Sequence, residues 1–250
     1  KKGEYLIDAN GLFLSEVLTR IKAPRFPGRS PFAFSLGRFD KGKSKINEIK
    51  NYPKNTNLKT EYVYNNPSVL NGGSNAIADG RNVSIKVFHT LMSMPEEGYE
   101  PRMDDARVGY FLTQTNDMTE TGTVNYRDMI HRWRLIKKDP NAVISEPVTP
   151  ITWWIENTTP ITWRETIKEG VLAWNKAFEK AGFKNAMVVK VQPDDASWDA
   201  GDIRYNVLRW TSSPNPPFGG YGPSFVNPRT GQSIGADIML EYAFVTRRLQ

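Results

Sequence analysis

The chain has 250 residues, a formal net charge of +6, 39% hydrophobic and 24% charged residues, and no cysteine. That length buries roughly 70–75% of the unfolded surface in one or two domains. Lack of cysteine excludes disulfides, thiolate metal sites and thiol nucleophiles, and no apolar run approaches the ~18 residues of a membrane helix, which excludes a membrane span.

Lys1-Lys2-Gly3 shows neither an initiator methionine nor a signal peptide, and Arg247-Arg248-Leu249-Gln250 carries no stop signal, so the sequence reads as a fragment. Positive charge is concentrated early: residues 1–60 hold 13 Lys/Arg against 5 Asp/Glu, whereas the remaining 190 hold 20 against 22. Those lysines are scattered without interleaved stacking aromatics, the pattern of a solvated face, and no nucleic-acid partner is expected from them.

From residue 5 to about 138 the apolar pattern is mostly period two, as in half-buried strands. Phe32, Phe34 and Leu36 alternate before the turn Asp40-Lys41-Gly42, Leu58, Tyr62 and Tyr64 share one parity, and so do Val83, Ile85, Val87, His89 and Leu91. Asn71-Gly72-Gly73-Ser74-Asn75 is a loop by composition. Pro140, Pro147 and Pro150 mark residues 139–150 as an inter-domain linker.

Residues 151–155 then read as a strand, and Thr162-Trp163-Arg164-Glu165 as a capping box that starts a helix. Ile167, Val171, Trp174, Phe178 and Ala181 form one apolar stripe, with Gly182 as the left-handed C-cap. Residues 186–191 and 202–210 are further strands, 212–223 is a Pro/Gly-rich loop, and Asn227-Pro228-Arg229-Thr230-Gly231 is a hairpin turn joining Phe225-Val226 to residues 233–240. The fold class is therefore α+β. A β-rich accessory domain spans 1–150, and a mixed sheet with one long crossover helix spans 151–250.

Chemistry-bearing candidates are few. His89 lies on the apolar parity of a strand and His131 among cations, neither with a second histidine one helical turn away, so both read as structural. Asp104-Asp105 and Asp194-Asp195 lack the alternating ligand spacing of a calcium loop. No serine lies in a Gly-x-Ser-x-Gly elbow, and phosphate-loop and dinucleotide glycine patterns are missing. Six of the seven tryptophans fall in residues 151–250 and read chiefly as core.

Several stretches share their order with one family: Gly170-Val171-Leu172-Ala173-Trp174-Asn175-Lys176-Ala177-Phe178-Glu179-Lys180-Ala181-Gly182-Phe183, Asp202-Ile203-Arg204-Tyr205-Asn206-Val207, Asn227-Pro228-Arg229-Thr230-Gly231 and Gly235-Ala236-Asp237-Ile238. Upstream, Pro101-Arg102-Met103-Asp104-Asp105-Ala106-Arg107-Val108-Gly109-Tyr110-Phe111 and Arg132-Trp133-Arg134-Leu135 join them. Together they resemble bacterial zinc-dependent metalloproteases of the metzincin type that carry an uncharacterised domain ahead of the catalytic one.

The resemblance implies peptide hydrolysis by zinc on a His-Glu-x-x-His-x-x-Gly-x-x-His helix, the metal bringing bound water to a pKa near ~7 and the Glu acting as general base. No His-Glu pair occurs in this sequence. The expectation is thus zinc in the parent protein and none bound by this fragment, with the ligands in a missing C-terminal catalytic subdomain. The family's last strand before the zinc helix is expected to be a sheet edge that pairs with a peptide or protein substrate. Residues 234–240 hold that place, making Ile234, Gly235, Ala236, Asp237, Ile238 and Met239 the expected substrate-binding residues. Packing of that edge under the missing subdomain is the competing expectation, and Asp237, facing opposite to Ala236 and Ile238, reads equally as a hydrogen-bond acceptor. The resemblance also implies an extracytoplasmic location, periplasmic or cell-surface. The alternative function is a non-enzymatic extracytoplasmic surface or glycan-binding module, resting on the tryptophans and the β-rich half.

Overall fold

The computed structural model describes residues 5–22, 28, 30, 32–73, 77–95, 98–213, 216, 218–243 and 246. Sequence readings at Lys1-Lys2-Gly3, Ser74-Asn75 and Arg247-Arg248-Leu249-Gln250, and positions 214, 215 and 217 of the Pro/Gly-rich loop, lie outside the described residues. Among the described residues no helix is long and apolar enough to cross a membrane. The chain is mixed α and β, and it divides into two compact units between Met92 and Ser93.

In the first unit, α1 (Ala9–Phe13) is capped by the Asp8 carboxylate, which accepts from the Asn10 amide at 2.9 Å. The sheet consists of β1 (Arg38–Phe39), β2 (Lys45–Asn51), β3 (Asn55–Asn65) and β4 (Asn82–Met92). β3 is its middle: β1 and β2 pair antiparallel along one side and β4 along the other. The expected strand at Phe32, Phe34 and Leu36 is coil instead, and the ladder starts only at Arg38. There Gly37 passes so close to Asn65 that a Cβ would lie 2.1 Å from its carbonyl oxygen.

Leu58, Tyr62 and Tyr64 are buried on one face of β3, with Phe39 edge-on to both tyrosines at 5.2 and 5.7 Å. The segment around α1 closes this face. Tyr62 donates its hydroxyl proton to the Ser15 carbonyl at 3.1 Å, Tyr64 donates to Glu16 at 2.9 Å, and Phe13 meets the His89 ring at 5.4 Å. With the Tyr62 proton spent on Ser15, the 3.2 Å contact between Tyr62 and His89 Nε2 is an imidazole N–H donating to the phenol oxygen. His89 is a core residue.

The second unit opens with a hairpin of β5 (Leu112–Asn116) and β6 (Tyr126–Ile130). The segment before it adds to β6 through the Met103↔Met129 bridge and the Ile130 amide bonded to the Arg102 carbonyl at 2.9 Å. Residues 139–150, expected as a linker, are a folded loop. Val148 bonds Ile136 at 2.8 Å, Lys138 bonds Glu146 at 2.9 Å, and Pro147 is fully buried. Proline here fixes corners of a packed hairpin instead of spacing two bodies, and Trp133 and Leu135 already belong to the core of the sheet that follows. Residues from 93 onward, including 139–150, form one compact unit.

That sheet contains β7 (Ile151–Ile155), which leads into α2 (Ile161–Leu172) and α3 (Asn175–Lys180), followed by β8 (Met187–Val191), β9 (Asn206–Thr211), β10 (Gly220–Tyr221), β11 (Ser224–Val226) and β12 (Ser233–Glu241). The strand order is β8-β7-β9-β12, all parallel, with β10 and β11 antiparallel along the outside of β12. Ile151, Trp153, Ile155 and Leu208 form the core, against which Ile167, Val171 and Phe178 pack.

Three details of the helix differ from the sequence expectation. Pro160, not Thr162, occupies the N-cap position, and no side chain caps it. The predicted single helix tightens at 173–174, where the Trp174 amide reaches back only to Val171 at 3.2 Å. Trp174, expected on the buried stripe, is 63% exposed. The C-cap is as expected: Gly182 has φ 89°, and the Phe183 amide bonds the Phe178 carbonyl at 2.9 Å.

On the other face of the sheet the tryptophans engage one another. Trp198 stacks on Tyr205 at 3.7 Å and Trp154 sits edge-on to both, so neither indole is an open platform.

Burial lowers the His89 pKa. An unfolded chain therefore binds a proton near pH 6.5 that the folded state refuses, and stability is lost as pH falls through that value while staying flat above it. Hydrogen exchange of the β3 and β4 amides is expected to accelerate between pH 7 and 5 beyond the intrinsic effect of pH, and His89→Gln to abolish that excess. An unchanged excess in the variant would refute the assignment. Gly231 has φ 74°, and a Cβ there would lie 2.5 Å from the Ile130 carbonyl oxygen. Gly231→Ala is expected to cost about 2 kcal/mol or more in urea unfolding.

Candidate functional site

The six residues expected to pair with substrate lie on β12, which is an interior strand. Residues 237–241 pair parallel with 207–211 of β9 on one side, while Ser224↔Ala236, Phe225↔Gly235, Gly220↔Leu240 and Tyr221↔Met239 occupy the other. Its backbone groups are committed, so the expected free edge is corrected.

Each of the six has an identifiable place. Ile234 is half-buried beside the hairpin turn, and a Cβ on buried Gly235 would meet Ile203 at 2.8 Å. Ala236 and Ile238 pack into the core beneath the helix, and the Ala236 amide donates to Asn206 at 3.0 Å. Met239 lies in register between Arg209 and Tyr221. Asp237 faces away from Ala236 and Ile238, accepting from the Val207 amide at 3.1 Å. Its expected role as a hydrogen-bond acceptor is what the geometry gives. Burial pushes its pKa up to about 6, opposed by the Val207 bond and by Arg209.

The outer strand is β10–β11. It runs through Gly222 and Pro223, with the Asp237 amide donating to the Pro223 carbonyl at 3.1 Å, and it shifts register between Phe225 and Val226. Among the described residues no strand pairs with its far side. Half-exposed Phe218 and Tyr221 stand at its start, their rings 6.3 Å apart. From sequence, residues 212–223 read as loop and only Phe225-Val226 as strand, so the β10 part of this rim is missed. The overlooked signal is Pro223, because a proline inside a sheet is confined to an edge or a bulge.

At the far end of β12, the buried Glu241 carboxylate accepts from the Ser213 amide at 3.0 Å, the Ser213 hydroxyl at 2.9 Å and the Thr211 hydroxyl at 3.1 Å. The Ser213 amide contributes most to holding its pKa below the usual range. At the near end the hairpin turn behaves as expected, with Thr230 and Gly231 amides bonding the Asn227 carbonyl at 3.2 and 2.9 Å.

No described residues form a group of three or more His, Cys, Asp or Glu able to hold a metal. His131 Nε2 is 2.9 Å from the Thr113 hydroxyl, and His89 is committed to Tyr62. Asp105 is paired with Arg107, whose side chain holds its pKa down to about 2. These residues do not fit a zinc centre, and no catalytic step is assigned to them. What the arrangement offers chemically is an edge of backbone donors and acceptors, flanked by two aromatic rings.

Such an arrangement defines an α+β chain whose second unit is built around a sheet with an antiparallel rim. The chain belongs to the family described as Domain of unknown function (DUF5117), whose model matches residues 1–138. No curated protein and no solved structure matches it. The matched stretch takes in the whole first unit and continues through the β5–β6 hairpin of the second.

For Asp237 the raised pKa means that, between about pH 4 and 6, the unfolded carboxyl is ionised while the folded one keeps its proton. Stability therefore falls as pH rises from about 4 to 6 and levels off above. Asp237→Asn is expected to remove that slope in urea unfolding of the second unit, followed by tryptophan fluorescence. A slope equal to wild type would rule it out.

Proposed function

We propose that this chain supplies the scaffold and one wall of the substrate cleft of a metzincin-like zinc metallopeptidase, and that β10–β11 is the strand that receives the peptide. The observation carrying this reading is the antiparallel outer strand with its far side unpaired among the described residues. An extended peptide adds there as one more strand, taking affinity from main-chain bonds and little from its own sequence. Phe218 and Tyr221 give it apolar surface to lie against.

Support also comes from the resemblance. Residues 170–183 close the helix onto Gly182, Asp202 leads into β9, and 227–231 turn into β12. The edge role, expected at residues 234–240, thereby passes to residues 220–226. The hydrolytic zinc, its ligands and the general base belong on this reading to polypeptide other than these 250 residues, in an extracytoplasmic protein.

Two measurements test it. Oxidised insulin B chain, used as an extended peptide, is expected to slow hydrogen exchange at 220–226 but not at β8, the opposite margin of the sheet. Protection at β8 alone, or at neither, refutes the assignment of the edge. Calorimetric titration with zinc is expected to show no tight stoichiometric site, and one tight zinc per chain would overturn the placement of the metal ligands elsewhere.

A further inference from the structure

The β5–β6 hairpin carries a group of side chains that the peptidase reading leaves unused. Register pairs Gln114 with Asp128 and Asn116 with Tyr126, so these four project from one face as two adjacent cross-strand pairs. With Thr115 they line an open groove of about 470 Å³, within the ~300–1,000 Å³ of small-ligand sites. At its root this face ends in buried Ile130, while toward the tip Tyr126 is 58% exposed. The opposite face does the packing: Thr113 bonds His131, and buried Met129 lies against Gly231.

The lining specifies the chemistry of what fits. It combines two amides that both donate and accept, one carboxylate that only accepts and one phenol ring, while the Thr115 hydroxyl, on the opposite parity, donates to the Arg127 carbonyl at 3.4 Å. Among the described residues no cation lines it, and neighbouring Arg127 is bound to Asp117 at 2.7 Å, so an anionic ligand would meet Asp128 uncompensated. A ligand matched to this set is neutral, rich in hydroxyls that donate and accept side by side, and has one apolar face to lie on the tyrosine ring. Cross-strand partners ~5 Å apart and diagonal ones ~7–8 Å apart span the width of one six-membered sugar ring. The bond from Gln114 to Asp128 is long, at 3.4 Å, and a vicinal pair of hydroxyls could replace it.

We propose that the outward face of the β5–β6 hairpin, built from Gln114, Asn116, Tyr126 and Asp128, is a binding site for a neutral saccharide, with Tyr126 as the stacking surface and Asp128 as the principal hydroxyl acceptor. This inference is independent of the peptidase reading and uses none of the tryptophans.

The test is titration of the whole chain with cellohexaose, maltohexaose and N-acetylchitohexaose, followed by calorimetry and by amide shifts in the NMR spectrum. At least one is expected to bind and to shift residues 112–116 and 126–130. Tyr126→Ala and Asp128→Ala are each expected to weaken that binding about tenfold or more, a change of about 1.4 kcal/mol, while Tyr126→Phe stays close to wild type because the ring is kept. An unchanged far-ultraviolet spectrum and urea midpoint would confirm that the variants fold. The proposal is overturned if none of the three binds at millimolar concentration, if both alanine variants bind as wild type does, or if polygalacturonate binds more tightly than the neutral sugars. Protection of 220–226 by insulin B chain should persist in the Tyr126 and Asp128 variants, so failure at one site is distinguishable from failure at the other.

Discussion

β12 has hydrogen-bonding partners along both sides, parallel on one and antiparallel on the other, and the second unit is organised around that fact. A parallel sheet is stable only when both faces are covered. Here α2 and α3 cover one face through Ile167, Val171 and Phe178, and the Trp154, Trp198 and Tyr205 cluster covers part of the other. Because β12 is interior, its side chains alternate between these layers, and Asp237 is drawn into a half-buried position. The price of that position is a carboxyl that holds its proton to an unusually high pH, partly relieved by the Val207 amide.

Local periodicity made some elements legible and concealed others. Ile167, Val171 and Phe178 face the core, and Gly182 ends the helix in the left-handed region, because both signals are short-range: the 3.6-residue repeat, and the steric freedom of a residue without Cβ. The turn at 227–231 was readable for the same reason. Trp174 was not, since the tightening at 173–174 turns that ring out of the stripe its spacing implied. Thr162 looked like a cap because it precedes Glu165 by three, yet Pro160 already fixes the backbone at the helix start.

Strand partners were the least readable. Alternation tells which face of a strand is buried, not which strand lies beside it, so the interior position of β12 and the peripheral one of β10–β11 could not be read from spacing alone. Pro147 misled in the opposite way. Proline-rich composition marks a corner as readily as a spacer, and only the bonds at Lys138, Glu146 and Val148 distinguish them. In the first unit, period two gave the faces of β3 and β4 with Tyr62 and His89 inward, except that Leu91 at the end of β4 is 49% exposed. What it could not give was the α1 segment as their cover, held by the hydroxyls of Tyr62 and Tyr64.

The turn at Gly231 is clasped by neighbouring backbone. The Arg132 amide bonds the Gly231 carbonyl at 3.1 Å, the Ser233 amide bonds the Arg132 carbonyl at 2.9 Å, and Arg132 bridges Gln232 in parallel. Residues 98–138 and the sheet after them thereby belong to one compact unit, although the family match stops at 138. Recombination that joined foreign sequence at residue 139 would strand this clasp without its partner, whereas a crossover near residue 93 would spare both compact bodies. The breakpoint that would respect the fold is thus not the one at which the family match ends.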